Sequence, residues 1–216
     1  MSISAGVDLA AAARPGATLT PLGACRYALQ GGLEVLVVSR QNELGAALAR
    51  LRREAMAVAS GSGAIAIDLE WRPDFRPDSD NTVALVQLAA GTLCVLVRTC
   101  HVGFPGELQS FLRDPAWVFV GVNWRTADAA KMWSSFGWET RNFGRFVDVV
   151  DAASRAGVNL GGRPGLAGLA EAILGVVLHK SKTVTLSDWA APVLSHDHIR
   201  YAALDAALVW YIYQEL

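Results

Sequence analysis

Asp68 and Glu70 stand one residue apart at the end of the apolar run Ile65-Ala66-Ile67-Asp68-Leu69-Glu70-Trp71, and Tyr201 and Asp205 stand four apart in a helical pattern. A strand sends residues i and i+2 to one face, and a helix does the same for i and i+4. If strand and helix pack together, three carboxylates and a phenol meet. Like charges held that close repel at neutral pH unless a cation lies between them. Hard oxygen donors suit Mg²⁺ or Mn²⁺. Asp128 is the fourth candidate ligand, the only acid between Pro115 and Trp138. Asp68, Glu70, Asp128 and Asp205 could hold two such ions about 4 Å apart, the arrangement suited to in-line cleavage of a phosphodiester. Tyr201, a phenol with an ordinary pKa near 10, is a poor base at pH 7 and a better group for positioning an attacking water.

The elements that must position these residues follow from pattern. Leu33–Val38 reads as a strand and 41–55 as a helix with Leu44, Leu48 and Leu51 on one stripe. Gly61-Ser-Gly63 reads as a turn before the strand Ala64–Glu70. Residues 73–81, rich in Pro, Asp and Ser, read as a loop. Val83–Leu88 and Leu93–Val97 read as a hairpin joined by Ala-Ala-Gly-Thr. A helix over 105–112, a buried strand over 117–122 and a helix over 126–136 follow. Residues 146–153 fit either a short strand or a helix start. Residues 166–174 read as a helix stopped by Gly175, and Ser195 as the N-cap of a helix running to the C-terminus. Hairpins followed by alternating strands and helices imply an α/β fold, a mixed β-sheet flanked by helices on both faces. Residues 1–24 are expected to be a flexible tail, with one domain over 25–216.

Of the 216 residues, 52% are hydrophobic and 18% charged, the composition of an ordered globular chain. The net charge of −1 supplies no global basic field to attract nucleic acid. Cys25, Cys94 and Cys100 have no metal-ligand spacing and read as free thiols. No apolar run reaches the roughly 18 residues of a membrane span, so no membrane partner is expected. Gly61-Ser-Gly63 precedes its strand, whereas a dinucleotide-binding glycine loop follows one.

These motifs carry a family resemblance over residues 33–216. The chain resembles the DEDD superfamily of 3′-5′ exonucleases in its tyrosine branch. It is similar to the Werner syndrome exonuclease domain and more distantly to ribonuclease D. Asp68-Leu-Glu70-Trp71 matches the first motif, and Val83-Ala-Leu-Val-Gln87-Leu the strand after it. Asp128-Ala-Ala-Lys131 resembles the second-motif segment. Ser187-Asp-Trp189 and Leu194-Ser195-x-x-x-Ile199-x-Tyr201-Ala-Ala-x-Asp205-Ala match the last stretch. The resemblance implies an RNase H-like sheet and metal-dependent removal of nucleotides from 3′ ends, most readily of DNA, with RNA as the alternative. It also implies two Mg²⁺ or Mn²⁺ ions. Asp68 would bridge them, with Glu70 and Asp205 on the nucleophile side and Asp128 supporting the second. Nuclear residence, or else cytoplasmic, and a separate helicase partner or self-association are further expectations.

The segment Val122–Ala127 departs from the family's glycine-containing form and is one residue longer. That motivates a competing reading, a nuclease-fold protein that binds nucleic acid or a partner without cutting. Arg200 occupies the position where the histidine branch keeps its base, so His196 and His198 are expected to be exposed first-turn residues. Trp71 is a candidate for stacking on the terminal nucleotide. Arg72, Arg76 and Lys131 are candidate phosphate contacts, against the simpler reading as solvated charges. Lys180 and Lys182 are candidates to flank the cleft, and Asp148 and Asp151 read as structural hydrogen-bonding groups.

Overall fold

The computed structural model of the chain describes residues 6–57, 63–76, 78–160, 162, 165–179 and 181–216. Eight strands form one sheet: β1 (Leu19–Gly23), β2 (Arg26–Leu29), β3 (Leu33–Val38), β4 (Ala64–Trp71), β5 (Val83–Ala90), β6 (Leu93–Val97), β7 (Val118–Gly121) and β8 (Phe146–Asp148). Their spatial order is β1-β2-β3-β6-β5-β4-β7-β8. The pairs β4/β7 and β7/β8 are parallel, so these three strands point their C-terminal ends to the same edge. The helices are α1 (Leu9–Ala13), α2 (Gln41–Ala57), α3 (Thr99–Val102), α4 (Gly106–Arg113), α5 (Asp128–Phe136), α6 (Val149–Arg155), α7 (Leu166–Leu169, continued by a π-turn over Ala170–Leu174), α8 (Lys182–Thr185) and α9 (His196–Gln214).

Residue type alternates along β4 and sorts the two faces. Ile65, Ile67 and Leu69 share a face with Phe119 of β7, whose ring meets Phe111 of α4 edge-on at 5.7 Å. α2 packs with α4 on that side. Ala64, Ala66, Asp68 and Glu70 point to the opposite face, where α9 lies across β3, β4, β5, β6 and β7. Small alanines there let the helix approach closely. The Trp210 indole N–H donates to Ala64 O at 3.0 Å and pins the helix to the first residue of strand β4. From Ala202 to Ile212 every residue of α9 is buried, so this helix is the centre of the domain rather than a surface helix.

The hairpin expectation holds: β5 and β6 are antiparallel, with Gly91 at φ +55° in the turn. Such a backbone favours glycine, and a Cβ there would lie 2.8 Å from Glu54 Oε2, which accepts from Thr92. Residues 146–155 resolve into a strand followed by a helix, with Asp148 as the N-cap between them. The expected flexible tail over 1–24 is corrected over 6–24. α1 is capped by Asp8, and β1 and β2 form a hairpin that extends the sheet beyond β3. Lys180, Gly61 and Ser62 lie outside the described residues. Among the described residues no helix is long and apolar enough to cross a membrane.

Candidate active site

The acids of β4 lie near its C-terminal end, with Asp68 opposite Gln87 of β5 and Glu70 opposite Leu85. An irregularity in pairing after Glu70 turns Trp71 out of register. Asp205 is 2% exposed on α9, and Tyr201 lies one turn earlier and is half-buried. β7 runs parallel beside β4, so the chain leaving Gly121 emerges at the edge that carries the β4 acids. It opens α5 with Asp128, where the helix dipole favours an acid.

The lengthened segment before Asp128 is absorbed as a tight turn. Asn123 adopts φ +53°, a conformation that asparagine tolerates better than most residues, and Thr126 N–H and Oγ1 both donate to Asn123 O. The Asp148 carboxylate accepts from the backbone N–H groups of Asn123 (3.2 Å), Trp124 (2.9 Å) and Val150 (3.0 Å). Trp124 is buried among Phe143 and Phe146, and its carbonyl receives the Ala129 N–H at 3.0 Å. Asp148 is thus structural, as expected. Asp151 pairs with Arg125 at 2.8 Å.

Burial first, then the negative charge of Asp68, push the Asp128 carboxyl up to about 8, with Asp148 adding to the effect. Asp68 also acts on Cys94, whose thiol burial already drives upward, so Cys94 stays protonated and is no metal ligand at neutral pH. Gln87 is fully buried opposite Asp68, and neither its amide nitrogen nor its oxygen finds a hydrogen-bond partner among the described residues. An orphaned amide beside mutually repelling carboxylates is the environment a hard divalent cation and its water would satisfy. Among the described residues no three acidic, histidine or cysteine side chains yet converge into a closed ion cage. The donor set fits a divalent cation in type, all hard oxygen donors, and in the direction of the Asp128 shift.

Tyr201 is held by the segment before α9. Thr185 Oγ1 lies 3.3 Å from its hydroxyl, and the buried Trp189 ring lies 5.9 Å from its ring. His198 is not the exposed residue expected. It is half-buried against Trp189, and Ser195 N–H donates to its Nδ1 at 3.2 Å, which places its own proton on Nε2, 2.6 Å from Ser187 Oγ. Burial holds its pKa below the usual histidine value, assisted by Arg98. A cavity of about 300 Å³ opens beside Tyr201 and Asp205, walled also by Leu178, His179 and Ser181.

Lys131 is neither a solvated charge nor an uncommitted phosphate donor. Its ammonium donates to Asp74 Oδ2 (2.5 Å), Asp80 Oδ1 (2.7 Å) and Asn81 O (3.0 Å), and lies 5.6 Å from the Trp71 ring. Trp71 is half-buried against it. Arg98 escaped the sequence reading altogether. It is 2% exposed and donates to the carbonyls of Ala191 and Pro192, tying the segment before α9 to the end of β6. Its only sequence signal was a lone arginine closing an apolar strand.

A mixed sheet with acids near the end of a central strand, a third acid opening the next helix and a tyrosine-aspartate helix across them defines the RNase H-like exonuclease class. The model of the 3′-5′ exonuclease family matches residues 38–216. A 3′-5′ exonuclease of Arabidopsis thaliana is 32% identical over 161 residues, which cover 73% of this chain and 54% of that protein. The mouse bifunctional 3′-5′ exonuclease/ATP-dependent helicase WRN is 28% identical over 159 residues, 73% of this chain and 11% of that protein. The chain thus spans about half or less of the length of these curated relatives. Among solved structures, the Aedes aegypti Nibbler EXO domain superposes with TM-score 0.66 at 21% identity, covering 84% of this chain and 86% of that one. Escherichia coli RNase D superposes with TM-score 0.63 at 23% identity, covering 83% and 42%. The chain belongs to the 3′-5′ exonuclease family, within the DEDD superfamily, and has its RNase H-like fold.

Proposed function

We propose that this chain hydrolyses nucleotides from the 3′ ends of nucleic acid, DNA in the first instance, as a tyrosine-branch exonuclease that depends on Mg²⁺ or Mn²⁺. The observation that carries the proposal is the placement of the acids: Asp68 and Glu70 near the end of β4, Asp128 opening α5 at the same edge, and Asp205 buried on the helix that crosses β4. A carboxyl raised to about 8 by burial and by Asp68 is a site in want of positive charge. Asp68, Glu70, Asp128 and Asp205 are the residues that would hold two ions. When bound, such ions lower the pKa of an attacking water and neutralise charge on the phosphate. The chain's own part is to orient. Tyr201, braced by Thr185 and Trp189, holds the water by hydrogen bond. Asp148 and Trp124 fix the turn that aims Asp128.

The test is digestion of 5′-labelled single-stranded DNA and RNA of one sequence, with Mg²⁺, Mn²⁺ or chelator, beside the Asp68→Asn variant. A ladder shortening from the 3′ end, absent with chelator and in the variant, is expected, and the faster strand names the substrate. Intact label in every lane supports the reading as a non-cutting binding protein instead.

A further inference from the structure

The chain between β4 and β5 follows directly on Glu70 and Trp71, and its described residues are pinned by hydrogen bonds. Asp74 accepts from the Asn81 backbone N–H at 2.8 Å and from Asn81 Nδ2 at 2.9 Å as well as from Lys131. Asp80 accepts from Ser134 Oγ at 3.2 Å as well as from Lys131. A turn is closed where the Ser79 N–H and Oγ hydroxyl both donate to Arg76 O, at 3.0 and 2.7 Å. Lys131 lies one turn after Asp128 on α5, so the same ammonium ties the loop that follows Glu70 to the helix that carries Asp128.

From this clamped loop Phe75 projects with 74% of its surface exposed and makes no ring contact among the described residues. Folding alone gains nothing from holding a large ring in water. Arg72 and Arg76 flank it, exposed, and neither forms an ion pair among the described residues. Lys131 offsets one of the two charges of Asp74 and Asp80, so with Asp78 the loop and its clamp carry no net charge, and Arg72 and Arg76 are the exposed cations beside Phe75. Phe75 is five residues past Glu70, so at most about 17 Å from it. That distance is within about five stacked nucleotides of the bond to be cut.

We propose that Phe75 is a stacking platform for an unpaired nucleobase of the substrate strand, with Arg72 and Arg76 as phosphate contacts and Lys131 as the positioning residue that holds the platform. The inference rests on the exonuclease reading. An aromatic face accepts any base, so the platform favours single-stranded or frayed ends without reading sequence. Bases inside an intact duplex have no free face to offer.

The test measures binding of a 5′-fluorescein single strand and of a blunt duplex by anisotropy in chelator, and kcat and KM with Mn²⁺. Phe75→Ala is expected to weaken single-strand binding about 5- to 150-fold, the range of one lost base stack. It raises KM at unchanged kcat, leaves duplex binding within twofold, and is rescued by Phe75→Trp. Lys131→Met reproduces the rise in KM, and Lys131→Arg restores most of it. Wild-type binding by Phe75→Ala, or an equal loss on the duplex, overturns the platform. A wild-type KM in Lys131→Met removes the clamp. A wild-type chain that cuts nothing fails the exonuclease reading, while the anisotropy arm still decides on Phe75.

Discussion

Replacing Asp128 by asparagine should stabilise the metal-free protein at neutral pH while abolishing activity. The Asp128 carboxyl rises from an ordinary 3.8 to about 8 in the fold, through burial first and Asp68 second. A carboxyl raised in this way supports the folded state fully below pH 3.8. That support is lost as pH climbs toward 8, because the unfolded chain releases a proton that the folded chain retains. Each pH unit in this window costs about 1.4 kcal/mol, so the folded state forfeits about 4 kcal/mol by pH 7. Solvent relaxation around a partly exposed carboxyl lowers that to about 2 kcal/mol. Asparagine keeps the shape of the protonated acid and removes the titration. In chelator at pH 7.5, Asp128→Asn is therefore expected to melt roughly 4–8 °C above wild type. The gap should close as pH falls toward 4. Added Mn²⁺ should raise the wild-type melting temperature far more than that of the variant. Calorimetric melts from pH 4.5 to 8.5 decide it. A gap independent of pH, or a wild type more stable than the variant in chelator at pH 7.5, refutes the reasoning.

Other perturbations follow from the same geometry. Asp148→Ala strands three backbone N–H groups and is expected to cost about 2 kcal/mol in urea unfolding, with Asp148→Asn recovering part of it. Gln87→Leu replaces a buried amide with no partner by an apolar side chain of similar size. It is expected to raise stability by about 1–2 kcal/mol in thermal melts and to lower kcat, since the amide faces Asp68 across the strands. Tyr201→Phe should lower kcat roughly tenfold or more with KM unchanged, the signature of a group that orients the nucleophile. A shift in KM alone would contradict that role.

The acid-bearing strand was legible because one periodicity serves two purposes. Ala64 and Ala66 open the same face that Asp68 and Glu70 continue, and Ile65, Ile67 and Leu69 fill the other. α9 was legible from its serine cap and the spacing of Tyr201 and Asp205. The N-terminal hairpin was not, because Thr-Pro-Leu-Gly has little strand character, and its strand conformation comes from pairing with β2, which in turn pairs with β3. Lys131 was misjudged for a related reason. Its acceptors lie 57, 51 and 50 residues away in sequence, so nothing near Asp128 announces the clamp. His198 looked like a first-turn surface residue, and only the return of the Ser187–Trp189 segment buries it. The turn through Asn123 that absorbs the longer segment before Asp128 was not legible, because a positive φ cannot be read from segment length alone.

The central claim is that Asp68, Glu70, Asp128 and Asp205 form one divalent-cation site. Calorimetric titration of Mn²⁺ into the wild type and Asp68→Asn at pH 7, in two buffers of different ionisation enthalpy, tests it most directly. The account predicts two bound ions per chain in the wild type, with release of about one proton as Asp128 ionises, and loss of that binding in the variant. A folded wild type that takes up no Mn²⁺ at millimolar concentration, or a variant that binds as the wild type does, would contradict it.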